Sequence, residues 1–157
     1  MAFPQVSDAF VDHSECIVRS YKHWTGRDLL PVTPSDKYAL AKALFEAPFV
    51  VASHGTETDP VLNYGNRAAL TVWEMAWEEF TQTPSRYTAE PPNREERAAL
   101  LARVTQFGFI DNYAGIRISK TGRRFRIRQA VVWNLITVEG IPCGQAATFS
   151  EWEYLGS

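Results

Sequence analysis

The chain of 157 residues is poor in cysteine, with two, and its 16 basic residues nearly cancel against 18 acidic ones, for a formal net charge of -2. Each shortage removes a class of function. Cys16 and Cys143 stand far apart with no CxxC spacing. Neither a zinc ribbon nor a disulfide-stapled secreted scaffold is indicated, and reduced thiols are expected. A dedicated nucleic-acid binder carries an excess of Lys and Arg over one face, so no direct nucleic-acid binding is expected. No apolar run approaches the ~20 residues that span a bilayer. The start, MAFPQVSDAF, lacks the basic segment and apolar centre of a signal peptide. A soluble, cytoplasmic protein without membrane contact is the expectation.

What is present is enough for one core. Hydrophobic residues make up 45% and aromatics 13% of the chain, and no low-complexity linker divides it. Over residues 6–24 the spacing of Val6, Phe10, His13, Ile17, Tyr21 and Trp24 predicts an amphipathic helix. A second helix is predicted from Thr33 as N-cap, with Pro34 in its first turn, to about Glu46. Two short β-branched runs, 49–53 and 60–64, read as a hairpin. Asn66 then caps a helix carrying Ala69, Leu70, Trp73 and Trp77, and Asn93 with Glu96 gives the start signal of a later one carrying Leu100, Leu101, Val104 and Phe107 before Gly108. Three strands close the chain, at about 110–119, 124–137 and 142–154, with turns at Gly122 and Gly140.

That order predicts an α+β domain: a five-stranded antiparallel sheet with helices on one face and an N-terminal helical extension. The extension is assigned to residues 1–46 and the core to 47–157. In the stretch GIRISKTGRRFRIRQAVVW, Phe125, Ile127, Gln129, Val131 and Trp133 alternate with Arg124, Arg126, Arg128, Ala130 and Val132. One face starts as arginines and ends apolar, so its Ala130–Val132 half requires a cover, for which the N-terminal helix is the candidate.

The run FVVASHG followed by LNYGNRAAL resembles the opening hairpin and Asn-started helix of a PAS domain. A narrower likeness rests on Gly115, Ser119, Gly122, Arg123, the run Gln129-Ala130-Val131-Val132-Trp133, Phe149 and Trp152. These residues are similar to those of the MEKHLA domain, a PAS-like family found at the C-terminus of plant homeodomain leucine-zipper regulators and as stand-alone bacterial and algal proteins. The likeness extends over about 21–155 and implies a regulatory role. Homeodomain and zipper sequences are absent from the chain, so the resemblance implies no DNA binding.

Candidate chemistry is sparse. His13 and Cys16 lie one helical step apart with His23 further along, but four zinc ligands cannot be assembled, so no metal is expected. Ser53 and His54, with Glu57 or Asp59, would make a hydrolase only if neighbouring strand side chains faced the same way, which they do not. The segment 63–67 has no Walker spacing. The resemblance to PAS domains brings in the flavin-binding branch, whose reactive cysteine would fall within 77–92, where this chain has none. No cofactor is assigned. The basic group of Arg117, Lys120, Arg123, Arg124, Arg126 and Arg128 reads as a solvated face or as a docking face for an acidic partner segment, its interaction surface formed by Arg124, Arg126, Arg128 and Val132.

Gln129 and Trp133 are expected on the helix-covered face, where with Asn66 and Arg117 they would line a small-molecule pocket. No residue reads as catalytic. The expectation is therefore a sensory or regulatory module acting through protein–protein interaction, as a homodimer or with another partner, with a ligand pocket between sheet and helices. The rival is a small isomerase- or dehydratase-like enzyme or carrier using the same pocket.

Overall fold

The computed structural model describes residues 7–156, which leaves Val6 of the expected helical stripe outside the described residues. Helix α1 (Asp8–Thr25) starts where the Ser7 hydroxyl accepts the Phe10 amide and stops at Gly26, whose φ of 72° suits a residue without Cβ. Its inner stripe buries Phe10, Val11, Ile17, Val18 and Tyr21. Helix α2 (Lys37–Phe45) begins later than the sequence predicts, because Asp36, rather than Thr33, accepts the first free amide, that of Ala39, at 3.0 Å.

The hairpin strands are β1 (Val50–His54) and β2 (Leu62–Gly65), followed by α3 (Arg67–Trp73), α4 (Trp77–Phe80), a 3-10 turn at Ser85–Thr88 and the long α5 (Pro91–Phe107). Trp77 opens α4 rather than continuing α3, which stops where Glu74 turns left-handed at φ 62°, and α5 begins at Pro91, ahead of the expected start at Asn93, with prolines in its first two positions. The last third forms β3 (Phe109–Ile118), β4 (Arg124–Ile136), β5 (Pro142–Phe149) and β6 (Glu151–Tyr154). The antiparallel order is β2-β1-β5-β4-β3, with β6 continuing beside β4. The α+β class holds, but the sheet has six strands rather than five. The expected final strand is broken at Ser150 into β5, which pairs with β1 and β4, and β6, which pairs with the first half of β4 alone.

The break matters because β4 is interrupted at the same level. Arg126 pairs with Ile116 and Ile127 with Gly115, yet Ala130 pairs with Tyr113, so three steps along β4 match two along β3. The extra residue is Gln129, held at φ 51° and exposed. This is a β-bulge, and one inserted residue exchanges the faces of everything after it. Phe125 and Ile127 are followed on their own face by Ala130 and Val132, while Val131, Trp133 and Leu135 turn to the opposite face. Strand β3 carries a compensating bulge at Asn112, φ 55°, between Ile110 and Tyr113.

The sheet is thus covered on both faces. Helix α1 lies over Trp133, with Tyr21 edge-on to the indole at 4.9 Å, and the Trp24 indole donates to the Asn134 carbonyl at 2.9 Å. Ser20 bonds both the amide and the carbonyl of Ile136. On the other face α5 lays Leu100 and Val104 on Val132, while α3 sets Trp73 among Phe80, Phe125 and Phe149. The expected cover by the N-terminal helix exists, but the residues under it are corrected: Trp133 and Leu135 lie beneath α1, and Val132 beneath α5.

Candidate ligand cavity

Four residues were expected to meet at a pocket, and the bulge separates them. Gln129 is exposed on the bulge, and Trp133, with no exposed surface, sits under α1 on the face away from α5. Continuous alternation placed them together; the extra residue breaks that alternation. Asn66 is buried and uses its whole amide structurally. Its Oδ1 accepts from Val51 and Ala69, and its Nδ2 donates to the carbonyls of Leu44 and Phe49, so it caps α3 and ties the α2–β1 connection. Arg117 alone borders a cavity.

That cavity lies between the sheet and α3–α5, with about 70 Å³ of free volume. Its walls are largely apolar and include Leu62, Trp73, Phe80, Leu100 and Val132. Polar groups enter from His54, Thr88, Gln145 and two arginines, Arg97 of α5 and Arg117 of β3. Arg97 was missed in the sequence, where it stands in the charged run NREER and reads as a solvated helix face; no local signal distinguishes it.

Each polar group has an identifiable state. Arg117 is 6% exposed and gives one bond to its neighbour's carbonyl, at Ile116, and one to the Tyr113 hydroxyl at 3.1 Å; that hydroxyl in turn donates to Glu96. Gly115 leaves them room, since a Cβ there would displace the Tyr113 hydroxyl and crowd the Arg117 guanidinium. Burial, and next the charge of Arg117, push Arg97 down to about 10. His54 bonds the Gly55 carbonyl through Nδ1, so Nδ1 carries the proton and Nε2 is left as an acceptor without a partner among the described residues. Burial holds this imidazole below its ordinary 6.5, in the neutral form. The Trp73 indole N–H is buried and unpartnered as well. Gln145 is occupied, donating to Leu101, Thr105 and Asn134, and so fastens α5 to the sheet.

Neighbouring Ser53 and His54 diverge as strand geometry requires. Ser53 points under α1, where it bonds His13 Nε2 at 2.9 Å and donates to Asn63 at 2.5 Å, while His54 lines the cavity. The Ser53–His13 contact clamps α1 to β1 and is 2% exposed at the serine. Among the described residues no cluster of three or more His, Cys, Asp or Glu could hold a metal ion, and no helix is long and apolar enough to cross a membrane.

The expected docking face divides. Arg124, Arg126 and Arg128 stand with Ile116 and Ile118 on the outer half of the sheet. Their charge is partly met by Glu90 and Glu153. Val132, 4% exposed, faces the interior because the bulge turns it there. Glu74 and Glu79 clasp the β3–β4 turn through Thr121 and Lys120.

A family model of the MEKHLA domain matches residues 11–154. The homeobox-leucine zipper protein HOX32 of Oryza sativa subsp. indica is 24% identical over 139 residues, which is 88% of this chain and 16% of that protein. The homeobox-leucine zipper protein ATHB-9 of Arabidopsis thaliana is 26% identical over 143 residues, 88% of this chain and 17% of that one. The chain therefore spans less than a fifth of the length of these relatives. Among solved structures, the PAS domain of a protein from Colwellia psychrerythraea superimposes with a TM-score of 0.63 at 13% identity, covering 75% of this chain and 95% of that one. A light-oxygen-voltage domain from work with a flavin analogue gives 0.59 at 17% identity, covering 76% and 87%. At these identities the structural likeness is one of fold.

Proposed function

The chain belongs to the MEKHLA domain family, and from that premise we propose that it is a cytoplasmic, PAS-like regulatory sensor, which reports the occupancy of the cavity to a protein partner, with a second copy of the chain as the first candidate. The observation that carries this reading is the chemistry of the cavity. Its walls combine apolar side chains with a few polar groups whose bonding is incomplete, the pattern of a binding site. Ser53 and His54 both border it, but the Ser53 hydroxyl is bonded to His13 and Asn63, and no paired carboxylates line it among the described residues, so the reading is binding rather than turnover.

Strand β3 offers a short path outward. Arg117 faces the cavity, and its neighbours Ile116 and Ile118 face outward beside Arg124, Arg126 and Arg128, so a shift of the Arg117 backbone reaches the proposed docking face within one residue. The relatives named above are homeobox-leucine zipper proteins, which accords with a regulatory role for the matched segment.

Native mass spectrometry of the full chain purified from its own host tests the reading. A small-molecule adduct that leaves on denaturation, together with a dimer at micromolar concentration, is expected. An adduct-free monomer would overturn both the sensor and the self-association.

A further inference from the structure

The charge lining the cavity selects among ligands. Arg19, Arg27, Arg67, Arg86 and the three outer-face arginines each have a carboxylate partner. Among the arginines that form no ion pair with an acid among the described residues, Arg103 and Arg123 are exposed and Arg94 donates to the Ala89 carbonyl, whereas Arg97 and Arg117 face the cavity. Guanidinium groups do not shed their protons at neutral pH, and two of them sharing a largely apolar space without a counter-charge repel one another. An anion between them removes that cost.

We propose that the cavity binds a small monocarboxylic acid, its carboxylate held between Arg97 and Arg117 and its apolar body against Trp73, Leu100 and Val132. This rests on the sensor reading above and supplies its ligand class. The free volume sets the size: 70 Å³ is roughly half of the ~150 Å³ that admits a benzene ring, so the site suits a short-chain acid of about the size of propionate. The planar fork of a guanidinium matches a carboxylate, and the apolar walls favour an organic acid over a bare, strongly hydrated oxyanion. The buried, unpartnered Trp73 N–H in the same wall is a donor whose missing bond a carboxylate oxygen can accept.

Isothermal titration of the full chain with propionate, propionamide and inorganic phosphate tests the assignment, with Arg97→Gln as the variant. Arg97 makes no hydrogen bond or ion pair among the described residues, and the variant relieves its repulsion with Arg117. The empty Arg97→Gln protein should therefore melt no lower than the parent while binding propionate roughly tenfold more weakly. A residue with only a structural role would not give that opposite pair of effects. Arg97→Lys should recover part of the affinity. No binding of propionate, equal binding of propionamide, or undiminished binding by Arg97→Gln would overturn the proposal, and phosphate binding as tight as propionate would refute its apolar half. An uncharged adduct in the native mass spectrum would overturn the carboxylate while leaving the sensor standing.

Discussion

Gln129 decides which way the second half of β4 faces, and its substitution separates the bulged strand from a regular one by the sign of the effect. At φ 51° a residue with a Cβ sits in the left-handed region at a cost of about 1–2 kcal/mol. A β-branched side chain tolerates that region least. Because the position is exposed, Gln129→Val gains no burial in return and should lose about 1–2 kcal/mol. Gln129→Gly removes the strain but loosens the unfolded chain by about 0.5–1 kcal/mol, so it should be neutral or stabilising by up to about 1 kcal/mol. In a regular strand the order reverses: Val beside Ile127 and Val131 would bury apolar surface and stabilise, and Gly would destabilise. For a chain of this size about 2–4 °C of melting temperature accompanies each kcal/mol, so thermal unfolding followed by circular dichroism resolves the two cases. A Val variant that melts at or above the parent, with the Gly variant below it, would refute the bulge and the assignment of Trp133 to the α1 face.

Removing residues 1–25 strips five buried apolar side chains of α1 from the sheet, at about 1.5–3 kcal/mol each an upper sum comparable to the ~5–15 kcal/mol that stabilises a whole domain. The truncated protein should be insoluble or unfolded by circular dichroism, and a soluble product with the parent's melting temperature would show that α1 does not carry that face. His13 and His54 are both held below 6.5 by burial, so the unfolded chain takes up protons first. Stability should be full above pH 6.5 and fall as the pH drops below it, with a shallower fall in His54→Gln; urea midpoints measured across that range check this. The Cys16 and Cys143 sulfurs lie 3.9 Å apart, tying α1 to β5, so diamide should convert both thiols to one intramolecular disulfide and raise the melting temperature, with no rise in Cys143→Ser. Burial and the neighbouring Cys16 push the Cys143 thiol up to about 11, so the reaction should speed up with alkaline pH.

Which features could be read from the sequence depended on how far each signal reaches along the chain. Asn66 at the start of α3, Gly108 after α5 and Gly122 at φ 92° in the β3–β4 turn act within one or two residues, and each stands where local rules put it. The faces of β4 failed because period-two counting carries its phase through the whole strand, and one extra residue at Gln129 reverses everything beyond it. A trace was visible. An arginine face that becomes apolar at Ala130 without a turn is what a bulge writes into a sequence, and Asn112, of a type that tolerates positive φ, marks the compensating bulge on β3.

The arginine pair had no such trace. Arg117 stands out only because an inward position is basic, Arg97 only because it borders the same cavity without an acid partner, and neither condition exists until α5 is laid across β3. Gly115 links the motif to the site. Its lack of a side chain lets the Tyr113 hydroxyl reach the Arg117 guanidinium, which fixes that charge at the cavity wall. Part of the wording of GIRISKTGRRFRIRQAVVW thus serves two ends at once: Gly115 and Arg117 set a cation at the cavity, and Gln129 turns the strand so that Trp133 anchors α1 and Val132 closes the cavity.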